Sequence, residues 1–342
     1  MSKPLVLVTG PSGFVGANVF HALLSAGYRV RGTLRSAKHI SFLKNKYPAA
    51  DAAGDISFAI VPDLQAPHAL DEAVKDVDYV CHVASPYFTS ANDPWAELVL
   101  PAVDGTKNVL NSALLAPNLK RVTVLSSFAS VVDLEKNPRP GYIYTEKDWD
   151  PVTEQLARKD GFWGYHASKT FAERAAWELW AKEKPKWDLV TFCPPMVYGP
   201  PIHEVDTSRG IDGLGTSLKR LFTSIMGTDP NFKPNVAVPG LPASVDVRDV
   251  AKAHVNALSL PSGVSERFLL SQGVNYFEDG LAGLRAKGEK GLGEPGKKVN
   301  TADHFSLDTT QAREKLGIDF IPFQQTVEDT WAAAKELGLI SA

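Results

Sequence analysis

Cysteine is scarce in this chain. Cys81 and Cys193 are the only two among 342 residues. Two cannot build a disulfide framework, they show no metal-ligand spacing, and both lie in apolar runs, as reduced buried thiols do. A basic excess is also missing. Lys and Arg number 36 against 39 Asp and Glu, a net charge of −3, so there is no global basic excess for nucleic acid or acidic lipid. The eight histidines include no His-x-x-x-His pair enclosing an acid, so a hydrolytic metal motif is absent. There is no internal repeat or low-complexity tract. The stretch Pro4–Tyr28 lacks Lys, Arg, Asp and Glu, yet Gly10, Pro11, Gly13, Gly16, Asn18 and His21 interrupt it. It reads as strand, turn and helix rather than a membrane span. Neither Met1-Ser2-Lys3-Pro4 nor Leu339-Ile340-Ser341-Ala342 carries a signal, retention or lipidation pattern, so the expected place is the cytoplasm, away from membranes.

What is present is an average globular composition, 44% hydrophobic and 22% charged, enough to bury a sizeable core. The length suits about two domains, or one α/β unit with a cap. One further absence is local. Residues 1–50 hold no Asp or Glu, while Lys3, Arg29, Arg31, Arg35, Lys38, Lys44 and Lys46 all fall there. Such a patch is either a solvated basic face or the seat of an anionic ligand.

Apolar periodicity arranges the chain. Strands are expected at Leu5–Val8, Tyr28–Thr33, Phe58–Val61, Tyr79–Val83, Val122–Leu125 and Leu189–Cys193. Helical spacing runs through Gly13–Ala26, Trp95–Leu115 and His166–Lys184. This alternation predicts a Rossmann-type α/β fold, a doubly wound parallel sheet with ligands at the carboxyl ends of its strands. After Pro194 the alternation loosens. Helices are expected over Thr216–Ile225, 246–260 and Thr326–Leu337, a strand over 267–271, and a loop over 287–298; Gly280 and Gly283 also read as loop. The domain expectation is a dinucleotide-binding unit over 1–193, with 243–260 returning to it. A smaller interleaved C-terminal α/β lobe over 194–342 would bind substrate.

Gly10-Pro11-Ser12-Gly13-Phe14-Val15-Gly16 fits Gly-x-x-Gly-x-x-Gly. Directly after a first strand and opening a first helix, it allows close backbone approach to a pyrophosphate beside the positive helix end. An NAD-selective site places an acidic residue after the second strand to hold the ribose 2′-hydroxyl. None occurs before Asp51; the strand runs instead into Thr33-Leu34-Arg35-Ser36. The planar fork of Arg35 suits a 2′-phosphate, which points to NADP(H). Arg31 and Lys38 are either helpers or solvated. Asp63-Leu64 would border the adenine, although Asp63 also suits a turn or cap.

Among nine tyrosines, Tyr165 alone has a lysine four residues on, Lys169. On a helix these share a face, and an ammonium beside a phenol favours the phenolate, making Tyr165 a usable acid. The fifth strand ends in Leu125-Ser126-Ser127, where a serine either orients a substrate oxygen or caps a turn.

Together these motifs resemble the extended short-chain dehydrogenase/reductase family along nearly the whole chain. Val6–Gly16 resembles its cofactor turn. Val83-Ala84-Ser85-Pro86, Leu125-Ser126-Ser127, Tyr165-His166-Ala167-Ser168-Lys169, Pro194-Pro195-Met196-Val197-Tyr198-Gly199-Pro200 and Asp246-Val247-Arg248-Asp249-Val250-Ala251 resemble its later motifs. Within the family the chain is most similar to the fungal NADPH-dependent methylglyoxal and 3-methylbutanal reductases, through Ala84–Phe88, Ser168–Glu173 and Ala175–Glu178. Plant dihydroflavonol reductases are neighbouring relatives. The resemblance implies a catalytic trio of Ser127, Tyr165 and Lys169. It implies cofactor contacts at Gly10, Pro11, Ser12, Gly13, Phe14, Val15, Arg35, Asp63, Leu64, Ala84, Ser85, Tyr165, Lys169, Pro194, Val197 and Ser217. Two departures are His39 where a lysine often follows the cofactor arginine by four, and Cys193-Pro194-Pro195 where relatives often have Asn-Pro. Tyr87, Phe88, Phe128, Phe162, Met196 and Tyr198 are expected either to line an apolar substrate pocket or to belong to the core.

The function these readings lead to is NADPH-dependent reduction of hydrophobic aldehydes or ketones, with Tyr165 as proton donor and no metal. The chain would act as monomer or homodimer. A dihydroflavonol-reductase-like or hydroxysteroid-dehydrogenase-like enzyme, or a nucleotide-sugar epimerase, would share the fold and trio. A non-enzymatic NADP sensor would not need the trio.

Overall fold

The computed structural model describes residues 3–85, 91–228, 242–294 and 301–340. In chain order, β1 (Leu5–Thr9), α1 (Phe14–Ser25), β2 (Arg29–Leu34), α2 (Ile40–Lys46), α3 (Pro48–Ala52) and β3 (Ile56–Ile60) make the first half of the fold. After β4 (Tyr79–His82), a π-helical turn at Trp95–Val99 enters α4 (Leu100–Ala113), followed by β5 (Arg121–Leu125), β6 (Ile143–Tyr144), α5 (Glu154–Ala157), α6 (Gly161–Glu183) and β7 (Asp188–Cys193). The C-terminal segments are β8 (Met196–Tyr198), α7 (Thr216–Ile225), β9 (Ser244–Asp246), α8 (Val247–Ala257), β10 (Glu266–Leu269), α9 (Phe277–Ala286), β11 (Ser306–Leu307), α10 (Thr310–Leu316) and α11 (Phe323–Glu336).

Seven strands form one parallel sheet in the order β10-β7-β5-β4-β1-β2-β3. Every residue of β1 and β7 is buried, as expected where helices cover both faces. Side chains alternate across the sheet. Leu5 and Leu7 pack with Val80, Val122, Val109 and Ala176 on the α4/α6 face. Val6 and Val8 pack with Phe20, Leu23 and Ala251 on the α1/α8 face. Each such fully buried large side chain contributes about 1.5–3 kcal/mol. The chain winds outward from β1 through β2 to β3, then resumes at β4 on the other side of β1. That reversal leaves a crevice at the carboxyl ends of β1 and β4, where open α/β sheets bind ligands.

The α1 terminus shows how the sequence punctuates this frame. Tyr28 N–H donates to Leu23 C=O at 3.1 Å and Gly27 N–H to Leu24 C=O at 3.0 Å. This is the double closure that a residue with positive φ allows, and Gly27 has φ +86°.

The C-terminal segments differ from expectation in two respects. The strand expected near 267–271 is β10, and it completes the main sheet beside β7. Gly280 and Gly283, read as loop, lie inside α9. A Cβ at Gly280 would meet the Val327 side chain at 2.6 Å, and one at Gly283 would meet Glu328 and Gln324 at 2.1 and 2.6 Å. These glycines let α9 lie close against α11, and packing there offsets their poor helix propensity of about 1 kcal/mol each. Leu218, Leu221 and Phe222 of α7 join Leu281, Leu284, Val327 and Trp331 in a separate apolar cluster. No helix among the described residues is long and apolar enough to cross a membrane.

Candidate active site

One cleft of about 980 Å³ runs along the carboxyl ends of the strands, lined at one end by Gly10–Gly16 and Arg35 and elsewhere by Ser127, Tyr165 and Lys169. The phosphate-turn end is shaped by missing side chains. Gly10 has φ +70° and an added Cβ would sit 3.1 Å from the Ala84 Cβ, so the turns after β1 and β4 nearly touch. A Cβ on Gly16 would fall 2.0 Å from the Gly10 carbonyl oxygen. Only glycine there lets α1 start against the turn. Gly13 caps the helix with backbone alone, without a side-chain hydrogen bond, and no acid occupies the first turn. The N–H groups of Phe14, Val15 and Gly16 begin the helix and have no partner within it. Together with the helix dipole they make an anion cradle. Arg35, exposed at the rim of the same cleft, has no hydrogen bond or ion pair with any described residue. The turn and the arginine therefore fit a dinucleotide diphosphate bearing a further phosphate.

The other end is built from β4, β5 and α6. Asp160 caps α6 by accepting from Trp163 N–H at 3.0 Å, and the helix then carries Tyr165 and Lys169 on one face. The Lys169 ammonium lies 5.8 Å from the Tyr165 ring centroid. Burial lowers the Lys169 pKa to about 8, while the Glu173 charge works in the opposite direction. The Lys169 amine donates no hydrogen bond to a described residue. Ser127 leaves β5 and caps a short 3₁₀ turn, its Oγ accepting from Ala129 N–H at 3.1 Å. That leaves the Ser127 hydroxyl proton for an oxygen in the cleft.

His82, at the end of β4, also lines the cleft. Thr9 Oγ1 accepts from Val83 N–H at 2.9 Å and Ala84 N–H at 3.0 Å, and lies 3.0 Å from His82 Nδ1. The Thr9 hydroxyl proton therefore goes to Nδ1, which places the ring proton of His82 on Nε2. Burial, with Lys169 adding, lowers the His82 pKa to about 4, so this ring is neutral. Both cysteines are buried and free, and burial pushes each thiol up to about 12, which leaves them unreactive.

Most residues expected at the site do border this cleft: Gly10, Ser12, Gly13, Phe14, Val15, Arg35, Asp63, Leu64, Ala84, Ser85, Ser127, Tyr165, Lys169, Pro194, Met196, Val197 and Ser217. Asp63 is also a turn residue, accepting from Gln65 N–H at 2.8 Å. Four of the named residues do not line this cleft. Pro11 lies under the turn, its ring against Gly32. Phe128 is fully buried against Tyr144 and Phe305, because successive side chains on a 3₁₀ turn diverge by a third of a turn. Tyr198 is buried against Phe323 in the α7/α11 cluster. Phe162 sits in the first turn of α6 beside His166, 46% exposed and off the cleft. Tyr87 and Phe88 lie outside the described residues, as does Pro86. Sequence reading missed His82 and the α4 residues Pro101, Ala102, Gly105 and Thr106, all of which line the cleft, as does His39, the noted departure after Arg35. The position of His82 at a strand's carboxyl end was the one signal available for it.

The model of the NAD dependent epimerase/dehydratase family matches residues 6–269. A putative uncharacterized oxidoreductase of Schizosaccharomyces pombe is 39% identical, over 98% of this chain and 99% of its own. A ketoreductase of Aspergillus niger is 37% identical over 95% of each. The crystal structure of yeast methylglyoxal/isovaleraldehyde reductase Gre2 complexed with NADPH superposes with a TM-score of 0.83 at 29% identity, covering 98% of this chain and all of that one.

Proposed function

The chain belongs to the NAD dependent epimerase/dehydratase family, the extended short-chain dehydrogenase/reductases, and on that premise we propose that it is an NADPH-dependent reductase of hydrophobic aldehydes and ketones. The observation that carries this reading is a cleft joining an anion cradle and Arg35, unpaired among the described residues, to a Ser-Tyr-Lys set. Similarity to a ketoreductase and to an NADPH-bound methylglyoxal/isovaleraldehyde reductase supports the choice of cofactor and of carbonyl substrates.

Residues 1–193, with 243–260 and β10, form the cofactor lobe, and the remaining C-terminal segments complete the substrate side. The α1 N-terminus would hold the pyrophosphate and Arg35 the 2′-phosphate, an anion that the planar guanidinium suits. Ser12, Asp63, Leu64, Ala84, Ser85, Pro194, Val197 and Ser217 border the cofactor. The bound dihydronicotinamide supplies the two-electron reductant. Ser127 Oγ–H and the Tyr165 phenol donate to the carbonyl oxygen as it gains charge, and Tyr165 then gives up its proton. Lys169 donates to the nicotinamide ribose, and its charge lowers the cost of leaving Tyr165 deprotonated. Met196 contributes to the apolar side of the pocket.

NADPH oxidation is to be followed with methylglyoxal, 3-methylbutanal, aryl ketones and a UDP-sugar, with NADH as control. The expected result is turnover of the aldehydes and ketones with NADPH and at least about tenfold weaker use of NADH, the discrimination one charge-assisted contact provides. Conversion of the UDP-sugar without net NADPH consumption would overturn the reading in favour of an epimerase.

A further inference from the structure

The face of α6 that carries Tyr165 and Lys169 continues one turn deeper, to Glu173. Its side chain is completely buried and meets five side chains, two from the Ser126–Ser130 turn, two from β7 and one from β10. Glu173 Oε2 accepts from Ser126 Oγ at 2.6 Å and lies 2.6 Å from Ser130 Oγ, so it grips the two serines that flank Ser127. Glu173 Oε1 accepts from Thr191 Oγ1 of β7 at 2.7 Å and from Arg267 Nε of β10 at 2.8 Å. The Cys193 thiol lies 3.5 Å from Oε2. Arg267, itself 7% exposed, donates in turn to the Ser130 carbonyl at 3.1 Å and to those of Glu146 and Asp148, and stacks on Trp149 at 3.7 Å.

A buried carboxylate this well partnered is ionised: burial raises its pKa, but Arg267 and the serine hydroxyls outweigh burial and leave it lowered. Its negative charge is the one the structure sets against the burial of Lys169. Among the described residues, the groups facing Lys169 are Tyr165 and Glu173 on its own helix and the neutral His82 on β4; Arg267 and Cys193 pack against Glu173 from β10 and β7.

Resting on the reductase reading above, we propose that Glu173, clamped by Arg267, is a positioning residue for proton transfer: it fixes the Ser126–Ser130 turn that presents Ser127 and keeps the Lys169 ammonium charged beside Tyr165. Neither task brings Glu173 into contact with substrate or cofactor. The two are separable, because the serines carry the first and the carboxylate charge carries the second.

The test compares Glu173→Gln, the paired Glu173→Gln/Arg267→Met and Ser130→Ala in NADPH-driven reduction of 3-methylbutanal across pH 6–10. Neutralising a buried pair together leaves no orphan charge and is the variant expected to fold. Both Glu173 variants are expected to lose about tenfold or more in kcat, with KM for NADPH within about threefold. The alkaline limb of their pH–rate profiles should move to lower pH by about half a unit or more, because the Tyr165–Lys169 pair sheds its first proton more easily without the carboxylate. Ser130→Ala should lower kcat about threefold or more with that limb unmoved. An alkaline limb at its wild-type position in a folded Glu173 variant would overturn the proposal, as would wild-type kcat in Ser130→Ala if neither Glu173 variant folds. A wild-type protein inert toward every carbonyl compound would sink the reductase reading itself; an active wild type with unmoved variants sinks this inference alone.

Discussion

The two ends of the cleft handle charge in opposite ways. At the phosphate turn the protein prepares for an anion by omission. Side chains are missing at Gly10, Gly13 and Gly16, acids are missing from the first turn of α1, and Arg35 is left exposed without a partner among the described residues. At the proton-transfer end the charges are already inside. Lys169, Glu173 and Arg267 are all buried; Glu173 and Arg267 are compensated by each other and by hydroxyls, while Lys169, with no hydrogen bond of its own to a described residue, has its pKa lowered by burial against the opposing charge of Glu173. The difference follows from desolvation. A buried charge is tolerated only with its partners in place, and breaking such a pair costs about 3–5 kcal/mol. An exposed cation can await its partner in water at little cost.

The sharpest way to break the phosphate end is Gly16→Ala. Its methyl group would collide with the Gly10 carbonyl at 2.0 Å, forcing the turn and α1 apart. NADPH affinity is expected to fall about 100-fold or more, the loss of several backbone contacts to a charged group. Fluorescence titration of NADPH, with circular dichroism to confirm folding, measures it; affinity within threefold of wild type would contradict this account of the turn. Arg35→Ala should act more narrowly. KM for NADPH rises about 10–100-fold, the worth of one charge-assisted contact, and KM for NADH stays put. An equal effect on both cofactors would remove Arg35 from the 2′-phosphate site.

A second pair of buried acids sharpens the lesson about compensation. Glu173 has Arg267 against it and its pKa is lowered. Asp249, at the start of α8, has among the described residues only the Ile321 N–H, at 2.8 Å, as its hydrogen-bond donor. Burial, with the charge of Asp246 adding to it, raises Asp249 from 3.8 to about 6, against smaller opposing effects of the Ile321 amide, Arg248 and Lys252. A pKa higher in the folded state means that folding takes up a proton. The associated stability is complete below the unfolded value near 4 and is lost as pH rises through about 6. Asp249→Asn keeps an acceptor for Ile321 and removes the charge. It should therefore stabilise the protein at pH 7 by about 1–3 kcal/mol and hardly at all at pH 4. Urea unfolding at the two pH values checks this; an equal shift at both would show that burial of the charge is not the cause.

What the sequence discloses and what it hides divide along similar lines. The β1–α1–β2 unit is legible because unbroken apolar strands, helical spacing and glycines at fixed offsets are local signals. Tyr165 and Lys169 are legible because one helical turn joins them. The Glu173–Arg267 pair is not, since 94 positions separate its members and only the sheet brings β10 beside β7. Phe128 and Tyr198 neighbour cleft residues in sequence yet point into the core, because adjacency along the chain does not fix which way a ring faces. Gly280 and Gly283 mislead for a related reason. A glycine that serves close helix packing looks, in one dimension, like a glycine that serves a loop.

The central claim is that the Tyr165 phenol delivers the proton from a cleft already holding NADPH. The measurement is Tyr165→Phe, assayed for NADPH binding and for single-turnover reduction of 3-methylbutanal in the same sample. The account predicts unchanged binding and a rate lower by about 10²–10⁴, the worth of a positioned general acid; a variant that binds NADPH and still reduces the aldehyde at more than about a tenth of the wild-type rate would contradict it.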